Sequence, residues 1–259
     1  CNKDIIETAG IVKSQLEGIS EDIEVIQLNE HRSPILFGEV PGESKITIGF
    51  YSHYDTKSPG SSDEWKYPPF SATIDGGKIY GRGVATGKGD LLARIKAVES
   101  FIEIKKRIPL NVKFLIEGEA QIGSPALIKL FSLQKQILYA DVWVYIEGGY
   151  DAKGRIKLVF PRYVSSDENH SKLKIQNRIG EIANEFYQNG SLIFRDSSNM
   201  NPVVKVISQL GIPSVGLSIS NKQSNEIGVD ENINTADFID GIKLISVIIG
   251  RLTHNDNAF

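Results

Sequence analysis

Three short segments place reactive side chain types at suggestive spacing. The first is Ser52-His53-Tyr54-Asp55, which directly follows an apolar run at residues 46–51. A histidine two residues before an aspartate suits a metal ligand whose second ring nitrogen is oriented by a carboxylate. The plain alternative is a turn or a surface pair. The second runs from Gly81 to Gly89 (Gly-Arg-Gly-Val-Ala-Thr-Gly-Lys-Gly) and leads into a helix. It looks like a phosphate-binding loop, but Arg82 stands where the first glycine belongs and Gly89 where Ser or Thr must follow the lysine. The mismatch argues against nucleoside triphosphate binding. The third, Glu117-Gly118-Glu119-Ala120-Gln121-Ile122-Gly123-Ser124, lies at a strand-to-helix turn. Its carboxylates suit acid–base or ligand chemistry, while Ser124 before Pro125 also reads as a helix N-cap followed by proline at the first helical position.

The elements that must position these segments alternate along the chain. Ile5, Ala9, Val12, Leu16 and Ile19 form a single apolar stripe at helical spacing. β-rich runs follow at residues 23–28, 35–40 and 46–51, then a long ordered loop at 52–71 and a hairpin at 72–81 turning on Asp75-Gly76-Gly77. Helix is expected at 88–106, 125–134, 172–187 and 202–210. Strands are expected at 110–117, 141–147, 155–160, 192–194 and 214–218, with a polar break at 165–169. A last helix starts with Thr235 as N-cap and turns Phe238, Ile242, Ile245, Ile249 and Leu252 inward. This alternation predicts an α/β three-layer sandwich with a largely parallel mixed sheet, all three segments lying at strand ends. No internal repeat is present.

Composition narrows the function classes. The 259 residues carry 29 Lys+Arg against 32 Asp+Glu, a net charge of −3, which argues against a nucleic-acid partner. One cysteine excludes an intrachain disulfide framework and multi-thiolate zinc sites, and four histidines leave room for a modest His/carboxylate site. No segment approaches the ~20 apolar residues that a membrane span needs; the longest apolar stretch, 244–249, is interrupted by Ser246. The start at Cys1 without methionine is read as a trimmed or processed terminus. A lipid-modified cysteine is set aside because helical periodicity begins almost at once. The expected location is cytoplasmic, with no membrane partner.

In this order and spacing, the segments resemble the zinc-dependent metallopeptidase/aminoacylase family of aminoacylase, acetylornithine deacetylase, succinyl-diaminopimelate desuccinylase and carboxypeptidase G. The resemblance rests on the His53-Tyr54-Asp55 segment, Glu64-Trp65 with Pro69-Phe70, and Asp75-Gly76-Gly77-Lys78-Ile79-Tyr80-Gly81-Arg82-Gly83. It continues through Lys88-Gly89, Glu117-Gly118 with Gly123-Ser124, Gly211-Ile212-Pro213 and Asn225-Glu226. It implies a zinc-exopeptidase-like catalytic domain whose members hold two zinc ions bridged by a carboxylate. Matched residue by residue, His53 falls on the first ligand histidine, Asp55 on the aspartate that orients it, and Glu147 on a carboxylate ligand. The bridging carboxylate position holds Thr86, the general-base glutamate Ala120, the adjacent ligand glutamate Gln121, and the final ligand histidine Lys222.

That tally implies a dismantled two-metal site. Gln121 is a neutral, poor zinc ligand, Lys222 puts a cation where a metal would sit, and Ala120 has no group to move a proton. Glu119 lies one residue off and on a strand would point to the opposite face. The expected function is a non-catalytic relative with a binding or assembly role, zinc more weakly than tightly held if at all at the partial His53–Glu147 site. The alternative is a metal-dependent deacylase or dipeptidase of N-acyl amino acids or small peptides. A third reading is a ligand-binding α/β domain whose site lies elsewhere. Expected partners are a small peptide or acyl-amino-acid ligand, or another protein. Lys222 is expected to pair with Glu147 or Asp55 in place of the metal. The family's inserted lid and dimerisation domain is expected to be absent around 161–172, leaving one domain over 1–259. Trp65 and Phe70 are expected to pin the long loop and Arg82 to buttress the cleft through carboxylates. Asn225-Glu226 should stabilise their loop, and His31, His170 and His254 should face solvent.

Overall fold

The computed structural model describes residues 3–161, 170–187, 190–196 and 201–253. Its strands are β1 (Asp22–Ile26), β2 (Ile35–Val40), β3 (Thr47–His53), β4 (Thr73–Asp75), β5 (Lys78–Tyr80) and β6 (Asn111–Glu117). They continue as β7 (Val142–Tyr145), β8 (Gly149–Tyr150), β9 (Ile156–Pro161), β10 (Ser191–Asp196), β11 (Ser214–Gly216) and β12 (Asn232–Asn234). The helices are α1 (Lys3–Glu17), α2 (Lys88–Lys105), α3 (Pro125–Leu133), α4 (His170–Phe186), α5 (Pro202–Gln209) and α6 (Thr235–Arg251).

Eight strands run in the order β1-β2-β6-β3-β7-β11-β9-β10, and β8 pairs with β9. The β6–β3, β3–β7 and β7–β11 pairs at the centre are parallel, as is β9–β10. The β1–β2, β2–β6 and β11–β9 pairs are antiparallel, so the sheet is mixed. Its central strands are apolar on both faces because helices cover both. One core layer joins α1, α2, α4 and α6 to one face, through residues such as Leu16, Val98, Ile179 and Ile248. The other packs α3 and α5 through Leu127, Phe131, Val203 and Ile207 against Tyr51, Leu115 and Trp143. The architecture is the expected α/β sandwich of three layers.

Two short strands, β8 and β12, lack a sequence signature, and β12 joins β5 and β4 in a separate three-stranded sheet. That small sheet carries the expected 72–81 hairpin and anchors the loop that follows it. The helix caps also differ from expectation in instructive ways. Asn234, not Thr235, occupies the N-cap of α6, because residue 234 still belongs to β12, opposite Lys78. Ser124 does occupy the N-cap of α3, but its hydroxyl donates to Glu117 at 2.6 Å, and the free helix N–H of Ala126 goes instead to Glu119 at 3.2 Å. After β9 ends at Pro161, residues 162–169 lie outside the described residues, and with them most of the stretch where the family's insertion would enter. His254 and the side chain of His170 lie outside them too.

Candidate functional site

His53 ends β3 and lies opposite Glu117, the last residue of β6. This is the carboxyl edge of the parallel strands, where open α/β sheets place their sites. Its Nδ1 lies 3.1 Å from the backbone oxygen of Asp55 and 3.2 Å from Asp55 Oδ1. The other carboxylate oxygen, Oδ2, accepts the backbone N–H of Gln121 at 2.8 Å. Asp55 thus joins the imidazole to the single 3-10 turn Ala120–Ile122, with Nδ1 as the ring nitrogen that faces it. The Nδ1–Cε1 edge of the ring is also walled by Gly87. At φ +117° a Cβ there would lie 2.7 Å from His53 Cε1, so only glycine lets the loop pass this close.

The loop before α2 closes around a carboxylate that no sequence motif pointed to. Glu231, fully buried just before β12, accepts Arg82 Nη1 at 2.8 Å and the backbone N–H of Gly83 at 3.0 Å on one oxygen. The other oxygen accepts the N–H groups of Ala85 and Thr86, both at 3.0 Å, and the Thr86 hydroxyl at 2.9 Å. Arg82 therefore does buttress the cleft through a carboxylate, and its guanidinium lies 4.9 Å over the Trp65 ring. Thr86, expected from the resemblance at the position of the bridging carboxylate, spends its hydroxyl on Glu231.

The acidic segment after β6 divides its carboxylates between two tasks. Glu119 is buried and bound to the Ser33 N–H at 2.9 Å, Arg32 at 3.3 Å and the Ala126 N–H. Both its oxygens serve loop and helix anchoring, so it does not stand in for the missing base at Ala120. Glu117 accepts Tyr51 at 2.5 Å and Ser124 at 2.6 Å on one oxygen. Its other oxygen has no hydrogen-bond partner among the described residues. Burial pushes its pKa up to about 7, and pushes the Tyr51 phenol well above its ordinary value.

A second buried polar group ties α2 to the strand ends. Asp90 accepts the Ile219 N–H at 2.9 Å and Ser218 Oγ at 3.0 Å. Arg94, one turn on, donates to Tyr51 O at 2.6 Å, Ser52 Oγ at 2.8 Å and Leu217 O at 3.1 Å. Burial raises the Asp90 pKa to about 6 despite Arg94 nearby. Asp90 and Glu117 both hold their protons more tightly folded than unfolded, where carboxylates titrate near about 4. Between those values the native state binds more protons at these two sites, so their contribution to stability is full in acid and is lost as pH rises through about 6 and 7. Urea unfolding should show this decline in the parent and a flatter profile in Glu117→Gln. The variant should gain about 1–2 kcal/mol over the parent at pH 8 and little at pH 5. A difference that stays constant with pH would count against the buried, protonated Glu117.

The remaining expected positions do not converge on a metal. Ala120 and Gln121 lie half-buried in the 3-10 turn, Gln121 meeting Asp55 through its backbone. Glu147 is half-buried beyond β7, its Cβ 2.9 Å from where Gly216 would carry one. Lys222 corrects an expectation. It is exposed, makes no ion pair with Glu147 or Asp55, and lines a separate cavity of about 180 Å³ with Asp151 and Asp237. The loop 221–224 is pinned there by Asn221, which donates to Asp237 at 2.7 Å, and by the Tyr150 N–H, which donates to Ser220 O at 2.6 Å. Among the described residues, no three His, Cys, Asp or Glu side chains gather into a metal-binding group. The residues present therefore do not fit a two-zinc centre. Trp65 pins its loop as expected, donating to Pro59 O at 2.9 Å. Phe70 does not: it is 68% exposed. His31 faces solvent, and Asn225 braces its own turn, donating to Val229 O at 3.4 Å and accepting from Gly228 N at 2.8 Å.

Residues 49–251 match the sequence model of peptidase family M20/M25/M40, a span that contains every site position above. The chain belongs to that family. Among curated relatives, the Beta-Ala-His dipeptidase of Mus musculus is 30% identical over 148 residues, 53% of this chain and 30% of that protein. The Homo sapiens Beta-Ala-His dipeptidase is 36% identical over 110 residues, 42% of this chain and 22% of that protein. The succinyl-diaminopimelate desuccinylase of Orientia tsutsugamushi (strain Boryong) is 26% identical over 243 residues, 79% of this chain and 58% of that protein. The chain thus spans less than a third of the length of the dipeptidases it matches. The fold is also that of an M20 family metallo-carboxypeptidase from Sulfolobus solfataricus, with TM-score 0.83 at 17% identity over 95% of this chain and 94% of that one. Human carnosine dipeptidase 1 has TM-score 0.78 at 14% identity over 97% of this chain and 92% of that one. Among the described residues, no helix is long and apolar enough to cross a membrane.

Proposed function

We propose that this chain is a non-hydrolytic member of the M20 peptidase family that keeps the fold as a binding or assembly module. One observation carries the reading: the loop that would present a bridging carboxylate presents Thr86 instead, and its hydroxyl is committed to Glu231. The other assigned positions agree with it. His53, oriented by Asp55, and Glu147 supply two potential donors, while Ala120, Gln121 and the outward-turned Lys222 supply neither a base nor a third strong ligand. Family members that hydrolyse amides need a metal to polarise the carbonyl and a carboxylate to move the water's proton. The cleft retains a walled imidazole and buried carboxylates, a surface suited to a small peptide or acyl-amino acid, or to a protein partner.

The test is to equilibrate the purified protein with zinc, remove free metal, and measure bound zinc by mass spectrometry. Hydrolysis is then assayed on β-alanyl-histidine, cysteinyl-glycine, N-succinyl and N-acetyl amino acid substrates. Expected are zinc well below one ion per chain and no turnover above the blank. Stoichiometric zinc, with turnover abolished by His53→Ala, would instead establish a deacylase or dipeptidase working from a partial metal site.

A further inference from the structure

A cavity of about 610 Å³ lies between α1, α2 and the loop after β3; Tyr54 and Thr56, which flank Asp55, line it, while His53 and Asp55 do not. Its body is apolar: Ile5 and Val12 from α1 face Leu91 and Ile95 from α2. Its lining also includes two large apolar side chains exposed to water, Ile11 and Phe70. Exposed apolar groups clustered at one opening mark a surface that water wets poorly and an apolar ligand covers well.

One end of this cavity is cationic. Lys88 and Lys57 both line it, and neither makes an ion pair or side-chain hydrogen bond among the described residues. A Cβ on Gly83 would meet Thr56 Cγ2 at 2.5 Å and Lys88 Nζ at 2.6 Å, so the Lys88 ammonium lies beside Thr56 and hence at the Lys57 end. Lys88 is half-buried, and burial lowers its pKa. Of the carboxylates within electrostatic reach, Glu231 is committed to Arg82 and the loop before α2; Asp55 accepts the Gln121 N–H on Oδ2, and its Oδ1 faces His53 Nδ1 at 3.2 Å with no hydrogen-bond partner among the described residues. Arg82, also nearby, is paired with Glu231, and Asp4 is the only acidic residue among the described residues that line the cavity. A partly desolvated ammonium without a partner favours an anion that arrives with a ligand.

We infer that this cavity binds an amphipathic monocarboxylate, its apolar tail between α1 and α2 and its carboxylate at Lys88 and Lys57. The charge asymmetry selects an anion, the apolar body selects a tail without polar groups, and the volume is that of a small-molecule pocket. This inference is independent of whether the His53 cleft hydrolyses anything, and its failure leaves the proposed function untouched.

Octanoate is a suitable probe, with 1-octanol as the neutral analogue of equal length, both titrated calorimetrically into the intact chain. Expected is saturable binding of one octanoate per chain, with octanol weaker by about tenfold or more. Lys88→Met should erase that preference. Ile11→Asp changes an exposed residue that a folded chain tolerates, and should weaken octanoate by about tenfold by placing a second anion at the opening. The inference is overturned by equal affinity for octanoate and octanol, or by no saturation up to about 1 mM. Octanoate binding that Ile11→Asp leaves unchanged overturns it too, as does binding lost in His53→Ala, which would put the ligand in the strand-end cleft.

Discussion

Glu231→Gln is expected to destabilise the fold by about 3–5 kcal/mol, the cost of leaving one member of a buried ion pair without its partner. For a chain of this size that is a fall in Tm on the order of 10 °C. Glu231 is fully buried and accepts five hydrogen bonds, one from Arg82 and four from the 83–86 loop, three of them backbone N–H groups. An amide keeps one acceptor oxygen and turns an NH2 toward donors, so at least part of that set is left unsatisfied and the Arg82 charge uncompensated. The loop leads directly to Gly87, which walls His53, so the His53 NMR resonances should shift as well. Arg82→Met placed on the Glu231→Gln background should recover part of the loss, because it removes the orphaned charge. A loss below about 1 kcal/mol in the single variant would mean that the cluster contributes little.

Thr86→Asp, which puts a carboxylate where the resemblance places the family's bridging one, is expected to damage this chain rather than repair it. The Thr86 hydroxyl lies 2.9 Å from a Glu231 oxygen, so an aspartate would bring two carboxylates to about hydrogen-bond distance. At an effective dielectric of ~20 their repulsion is about 5 kcal/mol if both stay ionised. Sharing a proton relieves part of this, so the net loss should be about 2–4 kcal/mol at pH 8 and smaller at pH 5. Combining Thr86→Asp with Glu231→Gln should cost markedly less than the sum of the two, a coupling that a double-mutant cycle reads directly. Additive losses would show that residues 86 and 231 do not interact. Recovery of Thr86→Asp on adding zinc would show that the metal site can be rebuilt, and would favour the hydrolytic alternative.

These two residues also show where the sequence stops being legible. The His-x-Asp pair, the strand-to-helix turn before Pro125 and the alternation of strands and helices are local patterns. Periodicity and turn chemistry encode them within a few residues, and they led to the three-layer α/β sandwich that the structure has. The same patterns carried the resemblance that places the chain in its peptidase family, matched over residues 49–251. Glu231 belongs to no such pattern, because its donors lie 145 to 149 residues away and only the pairing of β12 with β5 brings them together. Asp90 and Arg94 look in sequence like a charged helix face; they are buried because α2 lies across the ends of β3 and the 217–219 segment. Lys222 was placed by counting from Asn225, but counting fixes a position along a loop and not the direction of its side chain. In the fold Lys222 is exposed and lines the cavity that it shares with Asp151 and Asp237. By itself, then, the sequence determined the alternation of the main helices and strands and the family to which the chain belongs. The tertiary structure alone decided which carboxylates are committed to holding the fold, since that choice depends on long-range partners and desolvation, and neither leaves a local signature in the chain.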